Sequence, residues 1–432
     1  MHYAGANMAS LYTDLWRGTM DCSGTDAREN WPWVVLVGDT WEEHGRAVAA
    51  CKSYLPGSFD VAPRDPNLKM NSFYKAVEYI TWLYYLCPAL LYGILPDNVW
   101  RNFCKFVTAL RIMSQYRITP AQIAKACQLF ADWEHEFELL YYQRRFDRIH
   151  MIRPCAHLSN HVALECTRVG SPICSSQWTM ERTIGNLGQE IRQPSDPFSN
   201  LAQQGIRRCQ INALKAMLPQ FDHAENLHPR GSRDLGNGYI LLTKSDKKPV
   251  VVHGLQSAVI ADFLGRPSPK FRRWARLRLP NGQIARSAWT ETQKSPEDVR
   301  MARNIKVLLH GQERFAEVLY FAQLAMENDD HNSDNEEDEN NWHFVNVALV
   351  TLYSLPQPEL LALSYGALIS CIHEGEESLC VVDVNTIQSV VGMIPHKPTL
   401  PNGQVEERFF LVEKTGLDIA RCGLQDDNGD ID

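Results

Sequence analysis

Glu181 stands in the densest stretch of chemistry in the chain, SSQWTMERTIGNLGQEIRQP over Ser175–Pro194, with Arg182 beside it. A carboxylate held on a rigid element can ligate a divalent cation. A lone glutamate on a helix is ordinarily a solvated charge, so residue type alone leaves both readings open. A second group lies upstream in PCAHLSNH, where Cys155, His157 and His161 are metal-ligand types and the two histidines fall four apart. That spacing puts both imidazoles on one helix face, as a zinc site would use them, but no fourth ligand follows at a customary spacing. The competing expectation is a pair of buried, hydrogen-bonded histidines that position the Glu181 helix. A third group is basic: Arg272, Arg273, Arg276 and Arg278 surround Trp274 in RPSPKFRRWARLRLPNGQIARSAW. Arginine interleaved with tryptophan offers phosphate contact and base stacking, the chemistry of a nucleic-acid surface. A soluble hairpin with stacked arginines accounts for the same residues.

These groups need scaffolds. Ile184, Leu187 and Ile191 recur at helical spacing behind Glu181, with Gly185 and Gly188 open to a close neighbour. Asp196-Pro197 then starts a second helix, as N-cap and first-turn proline. From Asn71 to about Leu218 the pattern is helical. Asp97 caps a helix carrying Trp100, Phe103, Phe106, Val107, Leu110 and Ile112. Thr119-Pro120-Ala121-Gln122 is a capping box from which a long helix should run toward Arg148. Ile123, Ala126, Phe130, Trp133, Phe137, Leu140 and Tyr141 form its one apolar stripe. Arg144, Arg145 and Arg148 crowd its end, where cations complement the helix dipole; phosphate contact is their other use.

After Leu218 the composition turns to Pro, Gly and Arg. Pro280-Asn281-Gly282 between two alternating runs predicts a hairpin over 274–289. Beyond Asn304 the runs Ile305–Leu309, Phe315–Phe321, Phe344–Tyr353, Ala367–Ile372, Leu379–Val384 and Phe409–Val412 predict a small antiparallel β-barrel. Trp33–Val37 fits a short strand or part of a helix equally well. The fold class expected is α+β. Its parts are a mixed segment 1–65, a helical domain 66–220, an Arg/Pro/Gly-rich connector 221–300, a β domain 301–415 and a tail 416–432.

At 432 residues there is material for two or three domains with real cores. The net charge of −8 is concentrated, since Glu327–Glu339 holds eight acids and no Lys or Arg. The run 327–341 is expected to be a solvated, disordered loop, and the near-neutral remainder neither favours nor excludes nucleic acid. Twelve cysteines without a C-x-x-C pair fit a reducing compartment. The N-terminus lacks the basic and apolar regions of a signal peptide. Tyr79–Leu95 runs 17 residues without a charge, but Pro88 interrupts it and core helices are expected in place of a membrane span.

Read in order, LYTDLWRG, WVVLVGDTWEEHG, LPGSFDVAPRDP, FYKAVEY, WRNFCKFV, ELLYYQRRFDRIHMIRPCAH, QWTMERTIGNLGQEIRQPSDPFSNL, RRCQINALKAM, PRGSRDLGNGYILL, RWARLRLPNGQIARSAW and IQSVVGM carry a resemblance. Over nearly its whole length the chain resembles the C-terminal part of Plavaka-like, CACTA-type DDE transposases of basidiomycete fungi. The resemblance implies an RNase H-like core whose three acids hold two Mg2+ or Mn2+ ions for DNA strand cleavage and joining. It matches Glu181, in the Met180-Glu181-Arg182 step, to the third acid, and makes the helices between about 66 and 170 an insertion before it. In relatives the second acid sits in a D-x-M-H step just ahead of a segment like Met1-His2 through Leu15-Trp16. This sequence begins at that Met, and the strands bearing the first acid have no counterpart, so segment 1–65 would be a remnant edge of the core. The expectation is a transposase-derived remnant, inactive alone and without a cofactor of its own, in the nucleus or cytoplasm. Its implied partners are DNA and the missing N-terminal half or another transposase subunit, with no membrane. A non-enzymatic DNA- or protein-interaction protein, helical scaffold plus barrel reader, is the competing expectation. A metalloenzyme built on Cys155, His157 and His161 is the third.

Overall fold

The computed structural model describes residues 2–59, 61–191, 195–218, 229–295, 298–327 and 342–416. Most of the acidic run and most of the C-terminal tail lie outside the described residues. The Asp97–Met113 helix is the axis of the first half and buries 13 of its 17 residues. Apolar side chains occupy several of its sides, and such a helix is stable only in an interior. Its rings interlock with those of its neighbours. Phe106 lies 4.9 Å from Trp133 and 5.8 Å from Phe130 of the Pro120–Phe137 helix, and Phe103 stands edge-on to Trp16 of the Ala9–Arg17 helix at 4.9 Å. Each such pair adds about 0.5–1.5 kcal/mol to the burial term.

The capping box forms: Thr119 Oγ1 accepts from the Gln122 N–H at 3.2 Å, and Gln122 Oε1 accepts from the Thr119 N–H at 2.8 Å. The helix it starts stops short of Arg148. A π-turn over Glu138–Tyr142 gives way to Gln143 and Arg144 at φ of 55° and 53°, then to a 3-10 turn over Phe146–Met151. This break turns Tyr141 inward, where its hydroxyl accepts from Trp16 Nε1 at 3.1 Å. It also buries Arg148, which donates to both oxygens of the buried Asp26 at 2.6 and 2.7 Å beside the stacked rings of Trp31 and Trp33. The guanidinium of Arg148 holds the Asp26 carboxyl below the usual carboxylate range. Arg148 is therefore neither a dipole cap nor a surface phosphate contact, and Arg145 is likewise engaged, by Asp147 and Asp26.

The charge-free run breaks as Pro88 implies. A helix over Ala76–Thr81 passes into a π-turn at Trp82–Leu86 and a short helix at Cys87–Leu90. Among the described residues no helix is long and apolar enough to cross a membrane. Trp33–Val37 is neither strand nor helix; Val35 and Leu36 donate to the Trp16 carbonyl, and the next helix starts at Gly38.

Among the described residues strands begin only after the Pro197–Met217 helix. β1 (Arg233–Asp234), β2 (Ile240–Leu241), β3 (Arg273–Trp274), β4 (Arg276–Arg278) and β5 (Ile284–Arg286) are short. β6 (Asn304–Leu309), β7 (Gln312–Glu327) and β8 (Trp342–Leu352) are longer, followed by β9 (Ser370–Cys371), β10 (Cys380–Asp383), β11 (Ile387–Val390), β12 (Gly392–His396) and β13 (Arg408–Val412). All pairings are antiparallel, in sheets ordered β1-β2-β4-β5, β10-β8-β7-β6-β11 with β3 also on β7, and β12-β13-β9. No strand precedes Arg233 among the described residues, and those of segment 1–65 are helix, turn and loop.

The expected small barrel is likewise replaced by an open sheet, since no ladder joins β10 to β11 at its two ends. Only the 3-10 turn Val384–Thr386 connects those two edge strands. Such a link reaches at most roughly 14 Å, whereas five flat strands would span about 19 Å, so the sheet must curl. A bulge between Val318 and Tyr320 supplies part of the bend. The two halves of the chain share an interior. Leu360, Leu368, Ile394, Phe410 and Val412 belong to the same buried core as Trp16 and Phe106. At the seam the Met301 N–H donates to the Ser53 carbonyl at 2.7 Å, and Arg111 donates to the Ala367 carbonyl at 2.7 Å. Gly392 is required there, because a Cβ would come 2.9 Å from the Tyr54 carbonyl oxygen.

Candidate functional site

Glu181 lies exposed in the first turn of the Trp178–Gln189 helix. The helix exists for local reasons, with its Glu181 N–H bonded to the Gln177 carbonyl, but none of its described side chains is buried. Met180 and Ile184 are more than half exposed. A Cβ built at Gly185 or Gly188 meets nothing within 4 Å, so the close approach expected at these glycines is absent among the described residues. The following helix, Pro197–Met217, is capped as predicted: Asp196 Oδ1 accepts from the Ser199 N–H at 3.4 Å. An ion pair between Arg208 and Glu190 ties it to the first. Among the described residues no group of three His, Cys, Asp or Glu side chains is placed to hold a metal ion. The pair of divalent cations implied by the resemblance therefore does not fit the described residues alone, among which Glu181 is one carboxylate without companions.

Cys155, His157 and His161 all fall on the Pro154–Val169 helix, but they do not converge. Cys155 is 7% exposed and belongs to the core, while both histidines are exposed. The zinc trio is thus split between interior and surface, and the alternative of buried histidines fails as well. His157 Nδ1 lies 3.3 Å from Glu134, and the two Nε2 atoms lie 3.1 Å apart, as the four-residue spacing dictates.

The basic group is redistributed. Trp274 is 6% exposed, its ring under Arg233 and its backbone paired with Phe321 of β7, so no base can stack on it. Arg273 donates to Asp246 at 2.9 Å and lies 4.4 Å over the Trp289 ring, which satisfies its charge internally. Arg272 remains exposed and Arg276 is half-buried. The hairpin forms with shorter strands than the pattern suggests. Gly282, at φ 86°, donates to the Leu279 carbonyl at 2.9 Å, and Leu279 donates to the Gln283 carbonyl at 2.8 Å. Trp289 falls in a short helix, Ala288–Glu291.

That turn sets the register Arg276↔Arg286, Leu277↔Ala285 and Arg278↔Ile284. Leu277 and Ala285 enter the core, so Arg276, Arg278 and Arg286 share the opposite face. Arg286 has no place in the basic group chosen from sequence. The signal for it was available, because a turn centred on Asn281 pairs residues equidistant from that position. The chain matches no family model, no curated protein and no solved structure.

Proposed function

We propose that this protein derives from a DDE-type transposase and contacts DNA without cutting it unless further acids are brought to Glu181 from elsewhere. The observation that carries this reading is the condition of the Glu181 helix. It presents its acid to solvent together with apolar Met180 and Ile184, as a helix does when the surface it is built to pack on is not in contact. Two-metal phosphodiester chemistry needs several carboxylates around ions about 4 Å apart, and Glu181 supplies one. The exposed Arg272 and the Arg276–Arg286 face contribute positive charge to the β part, as do the exposed Lys244, Lys247, Lys248 and Lys270.

The test is incubation of the isolated chain with supercoiled plasmid and Mg2+, alongside duplex binding across a salt series. The plasmid is expected to stay intact and the affinity to fall steeply with salt. Mg2+-dependent nicking that Glu181→Gln abolishes would overturn the first half, and salt-independent binding the second. The exposed apolar side chains of the Pro197–Met217 helix favour a second reading, a non-enzymatic protein-interaction scaffold. It becomes the better one if duplex DNA fails to bind even at low salt.

A further inference from the structure

Like charges placed directly opposite on an antiparallel ladder repel, yet β4 and β5 set Arg276 against Arg286. The pair is of the non-hydrogen-bonded kind. The Arg286 N–H donates to the Ala302 carbonyl and the Arg276 carbonyl accepts from Leu242, which leaves the two side chains at the closer cross-strand spacing. Arg278 follows on the same face, exposed. Among the described residues none of the three makes an ion pair, and Arg276 Nε is buried without a hydrogen-bond partner.

Two carboxylates stand near this face and neither forms an ion pair with it. Glu291 feels Arg286, but it accepts from the Ala302 N–H at 3.1 Å and its ion-pair contact is with Arg303 at 3.9 Å. Asp234 lies two strands away from Arg278 and accepts from the Gly236 N–H at 2.9 Å. Arginine cannot shed its proton to relieve the repulsion. Burial, and then the charge of Arg286, push the Arg276 pKa down, the direction for a guanidinium short of a counter-charge.

We propose that Arg276 and Arg286, extended by Arg278, form a seat for a phosphate group of a nucleic-acid backbone. The forked guanidinium matches phosphate oxygens two at a time, and an anion here would turn a repulsive pair into a bridged one. The seat rests on the geometry of the hairpin; only the source of its phosphate rests on the DNA reading above.

The experiment uses the whole chain with Arg276→Gln and Arg286→Gln. In chloride buffer both variants are expected to melt at or above the parent temperature, because each removes one of two repelling charges. Inorganic phosphate at matched ionic strength is expected to raise the parent's melting temperature and leave the variants unmoved. For duplex DNA the slope of log affinity against log salt should shrink by about 0.9 in each variant, one phosphate contact. Phosphate stabilisation lost in the variants with an unchanged DNA slope would keep the seat and overturn nucleic acid as its occupant. A DNA slope that falls with Arg272→Gln but not with these two, and no phosphate effect, would leave the DNA reading standing and overturn the seat. Variants that melt well below the parent in chloride would also overturn it, since the arginines would then be holding the fold together.

Discussion

Two helices in this chain are written in nearly the same local grammar and meet opposite fates. Asp97–Met113 and Pro197–Met217 both carry an acid or capping residue at the start, a cation in the last turn and apolar residues at helical spacing. The first buries 13 of 17 residues and the second none of 21. Asp196 caps the second helix, whereas Asp97, expected to cap the first, lies within its first turn behind Pro96 and closes no cap hydrogen bond; partners decide what each helix contributes. Isolated helices are marginal in water and draw most of their stability from packing. The first helix has aromatic rings from two neighbouring helices; the second has an ion pair to its neighbour and solvent.

The contrast can be broken or sharpened by substitution. Asp26→Ala should have the largest effect, about 3–5 kcal/mol, because it strands the buried Arg148 without its counter-charge; urea unfolding measures it. Trp133→Ala should lose a comparable 3–5 kcal/mol through the cavity it leaves against Phe106. Acid should then unpick the packed regions selectively. Burial pushes the imidazole of His44, which accepts from Trp82 Nε1 at 2.9 Å, down to about 4. Burial and the neighbouring Arg408 do the same to His396. Both are neutral when folded and protonate near 6.5 when unfolded, so their contribution is complete above pH 6.5 and is lost as pH falls toward 4. The loss is on the order of 3 kcal/mol for each, read from urea midpoints at pH 7.5, 5.5 and 4.5. Leu214→Ser on the exposed helix should stay within about 0.5 kcal/mol. A loss well beyond that would mean the helix is covered after all, and the contrast would collapse. Glu181→Gln should leave the melting temperature where it was.

Signals confined to a few adjacent residues were legible in the sequence. The Thr119–Gln122 box, the Asp196 cap, the break at Pro88 and the turn at Pro280-Asn281-Gly282 each rest on bonds closed within one helical turn or hairpin. The strands β6, β7, β8, β10 and β13 were visible from alternation, whereas β11 and β12 were missed because no turn signal separates them from one another. The errors in the site have one cause, partners distant in sequence. Arg273 is claimed by Asp246, Trp274 by β7, and Arg148 by Asp26. Cys155 and His157 look alike as ligands until the helix is placed and one points into the core.

Because Ile394, Phe410 and Val412 complete the interior that begins with Trp16, a nascent chain lacks one wall of its helical body until β13 has left the ribosome. At roughly 5–20 residues per second that interior stands ajar for tens of seconds. A stop codon before Phe410 would accordingly yield no smaller working domain, only an apolar wound for chaperones and proteases to find.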